Sequence, residues 1–163
     1  ISTIFSLFLL GCSNPQNSTP TIEENQVGII KGDDFRSKAM MKFTDAYVNN
    51  DLNSVSDLFT DDAKIMVNDA DLTFSEMAAG FSSGHNYFDN IRHEDRDAFT
   101  MHYKKGDIAG SIFTHYWYTW KATSKKTGEE ISLRGYAWMK WRGDKVEATY
   151  NAFDPSLYNA QLE

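Results

Sequence analysis

The sequence predicts an α+β domain in which helices pack on one side of an antiparallel sheet. Two observations carry this. Apolar residues recur at helical spacing through the first half of the chain, and from Asp97 onward the period switches to two. Aromatic residues make up 14% of the chain and concentrate after Phe99, as expected of a sheet with a large core that can enclose a pocket.

Taken in order, the acidic pair Asp33-Asp34 opens a helix at its positive end. Phe35, Ala39, Phe43, Ala46 and Tyr47 then fall on one apolar face. Asn49-Asn50-Asp51 ends it, and Asp51 can cap a short second helix carrying Leu52, Val55, Leu58 and Phe59. Residues 63–67 read as a short strand, followed by the turn Asn68-Asp69-Ala70-Asp71. Thr73 and Glu76 form a capping box, in which each side chain can satisfy the other's free backbone N–H. The helix behind it places Phe74, Met77, Ala78, Phe81, His85 and Phe88 on one face. Strands are expected at 99–104, 111–122, 131–141 and 146–153, separated by turns at 105–107, 124–128 and 142–144. The domain is therefore assigned to residues 32–163.

Two segments precede it. Residues 13–31 hold two of the three prolines among Asn, Ser, Thr, Gln and Glu, a composition of a flexible polar tether. Before that, the apolar run 4–10 ends in Leu9-Leu10-Gly11-Cys12, and Cys12 is the one cysteine of the chain. A membrane-spanning helix needs about 20 residues, whereas this run has the length of a signal-peptide core, about 7–15 residues. The pattern resembles the lipobox of bacterial lipoprotein precursors, with residues 1–12 as the signal segment. That resemblance implies a lipid on Cys12 and a place in the bacterial cell envelope. Ser13 is not the Asp that in some bacteria retains such proteins at the inner membrane, so the outer membrane is favoured.

The net charge of −7 argues against nucleic acid and against a polybasic membrane-surface patch. One cysteine excludes an internal disulfide or a cysteine-rich zinc site. The four histidines, His85, His93, His102 and His115, show no metal-ligand spacing, and no phosphate loop or dinucleotide fingerprint occurs. No metal and no cofactor are expected.

The stretch from Phe43 through Asp51-Leu52 to Leu58-Phe59-Thr60-Asp61-Asp62-Ala63 is similar to a helix, "D-L", short helix, "L-F-x-D-D-A" pattern. Thr127-Gly128 to Gly135, Asp144-Lys145-Val146 and Phe153-Asp154 complete it. On these residues the chain resembles the nuclear-transport-factor-2-like superfamily, particularly its SnoaL-like branch. The implied fold is a cone, a strongly bent antiparallel sheet wrapped around three N-terminal helices with a pocket at the open end. Ketosteroid-isomerase relatives carry an oxyanion-stabilising Tyr eight residues before the position of Asp51 and a general-base Asp sixteen after it; here these are Phe43 and Val67. A second acid aligns with Ala137, and Asn151 stands where many relatives carry an acid.

The resemblance therefore implies a scaffold without its familiar acid–base set, and binding of a small apolar or aromatic ligand without catalysis is the leading expectation. The rival is a SnoaL-like isomerase, cyclase or dehydratase using His115 or His85 with Asp69 or Asp154. His115 shares a strand face with Phe113 and Trp117, and if that face is concave it offers an imidazole among aromatics. The expected pocket comprises Tyr47, His85, Tyr103, Phe113, His115, Trp117, Met139, Trp141 and Tyr150. His102 should face away from Phe99, Met101 and Tyr103. Ile131, Leu133, Gly135, Ala137, Met139 and Trp141 should face inward, leaving Tyr136 and Trp138 on a convex face suited to a homodimer. A dimerising interaction module is the third possibility.

Overall fold

The computed structural model describes residues 23–162. The signal segment, Cys12 and most of the tether lie outside the described residues.

Among the described residues seven strands form one sheet in the order β1-β4-β5-β6-β7-β2-β3. These are β1 (Gly28–Lys31), β2 (Phe59–Val67), β3 (Ala70–Leu72), β4 (Phe88–Tyr103), β5 (Ile112–Ser124), β6 (Glu130–Arg142) and β7 (Lys145–Phe153). The helices are α1 (Phe35–Val48), a 3-10 helix at Leu52–Leu58, α2 (Phe74–Gly84) and a final turn, α3 (Ser156–Asn159). The sheet curls around the helices without closing. It is not purely antiparallel: β2 runs parallel to β7, with Ile65 beside Thr149. The intervening length of chain permits that, since parallel neighbours need a long crossover.

The helix starts follow the expected chemistry. Asp34 caps α1, accepting from the Ser37 N–H at 2.9 Å. Thr73 and Glu76 make the reciprocal capping box of α2, with bonds of 2.8 and 3.2 Å. Met40, Phe43 and Ala46 of α1 are buried against the concave sheet face together with Ile65, Tyr116 and Met139.

Four local expectations are corrected. Gly28–Lys31, placed in the tether by composition, pairs with β4 as an edge strand. A Cβ at Gly28 would run into the His102 carbonyl, so glycine is what lets the two backbones close. Phe59 begins β2 instead of ending a helix, because its ring is buried between Phe43 and Phe74 at 5.7 and 4.9 Å. Ala70, expected in a turn, begins β3; the turn is the Asn68-Asp69 pair alone, with Asn68 at φ 50°. Phe88 is not helical either. The weak helix formers Ser82, Ser83 and Gly84 end α2, and Phe88 starts β4 with its ring edge-on to Trp120 at 5.2 Å.

β4 therefore starts eleven residues before the strand expected at Phe99, and it runs for 16 residues. Its register with β5 shifts twice, between Asp89 and Arg92 and between Glu94 and Asp97. Asn90 and Asp95, at φ 54° and 48°, sit in these bulges. Each bulge reverses the in–out alternation and bends the sheet into its cone.

At the closed end, a buried polar chain links sheet to helix. Trp141 Nε1 donates to Thr114 Oγ1 at 2.9 Å, Thr114 bonds Thr100 at 2.9 Å, and Thr100 donates to Asp34 at 2.8 Å. His102 lies beside Asp34 at 3.5 Å, turned away from Phe99 and Tyr103 as expected.

Candidate functional site

The open end of the cone holds a cavity of about 260 Å³. Its walls come from α1 (Met40, Phe43, Tyr47), α2 (Met77, Phe81), β2 (Met66, Val67), β5 (Tyr116, Tyr118, Trp120), β6 (Leu133, Ala137, Met139) and β7 (Asn151, Phe153). His93 of β4 and Tyr158 of α3 complete it. The volume falls just under the range of about 300–1,000 Å³ common for drug-sized ligands.

The polar groups here are few and mostly paired. Tyr118 donates to Asn151 Oδ1 at 2.8 Å, and Trp120 Nε1 donates to the Tyr47 hydroxyl at 2.8 Å. Burial pushes both tyrosine hydroxyls well above their ordinary acidity range, so neither ionises near neutrality. Glu76 touches the cavity, but its carboxylate accepts from the Thr73 N–H and Oγ1, each at 2.8 Å. It is spent on the helix cap.

Among the described residues His93 is the one imidazole lining the cavity. Its ring stacks on Tyr118 at 4.2 Å and 11°, and its Nδ1 lies 2.9 Å from the Tyr116 hydroxyl. Burial, reinforced by the Arg96 charge, pushes its pKa down to about 3. It is neutral throughout the physiological range. The unfolded chain takes up this proton near pH 6.5, the folded one only near 3, so acid favours unfolding between those values. Each unit of that gap is worth about 1.4 kcal/mol. Acidification from pH 6.5 to 4 is expected to cost about 3 kcal/mol of stability through this residue. Urea unfolding of the wild type and of His93→Gln at several pH values checks this, the variant showing the flatter profile.

The sequence-expected site residues divide sharply. Tyr47 and Met139 line the cavity. Trp141 faces inward but is buried at the closed end, bonded to Thr114 and 5.8 Å from Phe35. His85 caps the end of α2, its Nε2 3.0 Å from the Tyr47 carbonyl, behind the cavity wall. Tyr103, Phe113, His115, Trp117 and Tyr150 are corrected to the convex face. There His115 Nδ1 meets the Tyr136 hydroxyl at 2.7 Å, and Trp117 is 46% exposed.

The reason is register. Tyr116 stands opposite Ala137 and Thr114 opposite Met139, and cross-strand partners share a face. The even-numbered residues of β5 therefore enter the cone with the odd-numbered ones of β6. Tyr136 and Trp138 take the convex side, as expected. Asp69 is exposed in the β2–β3 turn, and Asp154, before α3, accepts from Ser156 N and Oγ at 2.9 and 2.6 Å. The four residues proposed for acid–base chemistry do not converge. Conversely, sequence reasoning missed His93, Tyr116, Tyr118 and Trp120 as cavity walls.

Phe43, Val67 and Ala137, which the resemblance drawn from the sequence sets at the ketosteroid-isomerase acid–base positions, all line the cavity as apolar residues. Asn151 lines it as a neutral amide.

No protein-family model and no curated protein matches this sequence. Solved structures do. The chain is similar to a hypothetical protein with a ketosteroid isomerase-like fold from Catenulispora acidiphila, in complex with trimethylamine (15% identity, TM-score 0.54, 76% of this chain and 91% of that one). It is similar to a "putative polyketide cyclase" from Xanthomonas campestris pv. campestris (13% identity, TM-score 0.55, 79% and 98%). It also matches an NTF2-like protein of unknown function from Burkholderia pseudomallei (11% identity, TM-score 0.57, 79% and 98%). The chain thus has the cone-shaped fold of nuclear-transport-factor-2-like proteins, shared with the SnoaL-like and ketosteroid isomerase-like structures.

Proposed function

We propose that this domain binds a small, largely apolar or aromatic molecule in the cone and performs no reaction on it. The observation that carries the reading is the set of side chains at the reactive positions. General acid–base catalysis needs a group whose pKa lies near the working pH. Phe43, Val67 and Ala137 have no titratable group, Glu76 is committed to a helix cap, and His93 is held neutral. What remains is an enclosed aromatic chamber suited to dispersion and stacking. Tetralin, a two-ring hydrocarbon, is the first probe. Titration of the full chain is expected to give saturable binding with Kd on the order of 10–100 μM. Absence of saturable binding by both tetralin and its ketone, 1-tetralone, defeats the reading.

The N-terminal segment supplies the location. A lipid on Cys12 would hold the cone at the envelope surface, on a tether of polar residues. The Cys12→Ala protein is expected to leave the membrane fraction for the soluble one; continued membrane partitioning would sink the anchor.

A further inference from the structure

We infer that a chain of side chains from the surface, Asp45–Arg96–Tyr116–His93, locks His93 in one tautomer and makes it an N–H donor that reads an uncharged oxygen acceptor on the ligand. The inference rests on the ligand-binding reading above and adds the polar half of the ligand. The ligand class is a small ring compound bearing a neutral acceptor such as a ketone or ester carbonyl.

Asp45, at the surface, accepts from Arg96 Nη1 at 2.7 Å. Arg96 Nη2 donates to Thr44 Oγ1 at 2.7 Å and to the Met41 carbonyl at 3.2 Å. Thr44 Oγ1 in turn gives its own proton to the Met41 carbonyl at 2.9 Å. Arg96 has no acceptor at all, and its charge bears on the fully buried Tyr116 phenol. That charge draws the phenol oxygen toward the guanidinium and turns its proton the other way, to His93 Nδ1, 2.9 Å away.

A neutral imidazole that accepts at Nδ1 carries its proton on Nε2. Nε2 has no hydrogen-bond partner among the described residues, and His93 lines the cavity. The nearby polar atoms reinforce the same polarity. Asn151 spends its carbonyl on Tyr118 and keeps its NH2, while the Tyr47 oxygen accepts from Trp120 and keeps its proton. Among the described residues no uncommitted carboxylate lines the cavity to receive a donor, and no cation enters it to neutralise an anion. A neutral acceptor is the chemistry that fits.

Two measurements on the full chain test this. Long-range proton–nitrogen correlation spectra of the 15N-labelled protein distinguish the tautomers. The expected spectrum shows His93 protonated at Nε2 alone, turning to a tautomer mixture in Tyr116→Phe. A wild-type His93 protonated at Nδ1 overturns the inference without any ligand. The second measurement compares tetralin with 1-tetralone, which adds one carbonyl to the same skeleton. The ketone is expected to bind about tenfold tighter, and the ratio to fall towards one in His93→Phe. Equal affinities in the wild type overturn this inference and leave the ligand-binding reading standing, whereas binding of neither probe overturns both.

Discussion

Gly135→Ala is expected to destabilise the domain by about 3 kcal/mol and to weaken tetralin binding at least tenfold. Gly135 sits on the inward face of β6, directly opposite Tyr118. A Cβ there would enter the Tyr118 ring, meeting its Cζ, Oη and Cε2 atoms at less than van der Waals separation. Neither can yield cheaply, since β6 is a central strand paired on both sides. The ring must turn out of place, losing the hydroxyl's bond to Asn151 and the stack on His93. Both partners are cavity walls, so one methyl group damages stability and binding together. A double-mutant cycle isolates the cause: in a Tyr118→Leu background the same substitution should cost under half as much. An equal cost in both backgrounds, read from urea midpoints, would show that the ring is not the obstacle.

Ala137→Leu is expected to do the opposite to stability. Ala137 is 8% exposed, with its methyl group on the cavity. A leucine there extends into empty space and meets Met139, Tyr116 and Phe153 from the inside. Filling a void in this way commonly adds about 0.5–2 kcal/mol. The same atoms occupy the volume a ligand needs, so tetralin affinity is expected to fall by about 30-fold or more. Unchanged melting with lost binding identifies the chamber as the binding site. Undiminished binding would place the ligand elsewhere. Together the two substitutions separate loss of the wall from loss of the space, one destabilising and one neutral or stabilising.

The parts of this fold legible in the sequence are those whose chemistry is local. The capping box at Thr73 and Glu76 needs only its own four residues. The inward face of β6 is readable because its other side carries Arg134 and Lys140, whose charges require solvent. Both faces of β5 are apolar, and there the reading failed. Which face enters the cone depends on the register with β6, set by the turn in which the Ser124 N–H reaches the Glu129 carbonyl and Gly128 takes φ 75°. A slip of one residue would exchange Tyr116 for His115. His93 was hidden for a related reason. Two bulges interrupt the alternation of β4, so its first half shows no period of two. The signal that could have found it is the Asn90 and Asp95 pair, polar residues tolerant of positive φ and spaced as bulge markers.

The convex face presents a different chemistry from the cavity. His115 stacks among Phe113, Trp117 and Tyr136 there, at ring separations of 6.1–6.3 Å, and burial lowers its proton affinity. It has no route through the sheet to the cavity. A catalytic role for the cone would have to be built from His93, Tyr118 and Asn151, none of which titrates near neutral pH in this setting.

Native mass spectrometry of the gently purified full chain tests the ligand-binding account most directly, with the Ala137→Leu protein as its control. The wild type is expected to carry one small neutral compound per chain, released by organic extraction, and the variant none. A wild-type protein that is empty and takes up neither tetralin nor 1-tetralone, or one that holds its compound equally well after Ala137→Leu, would contradict it.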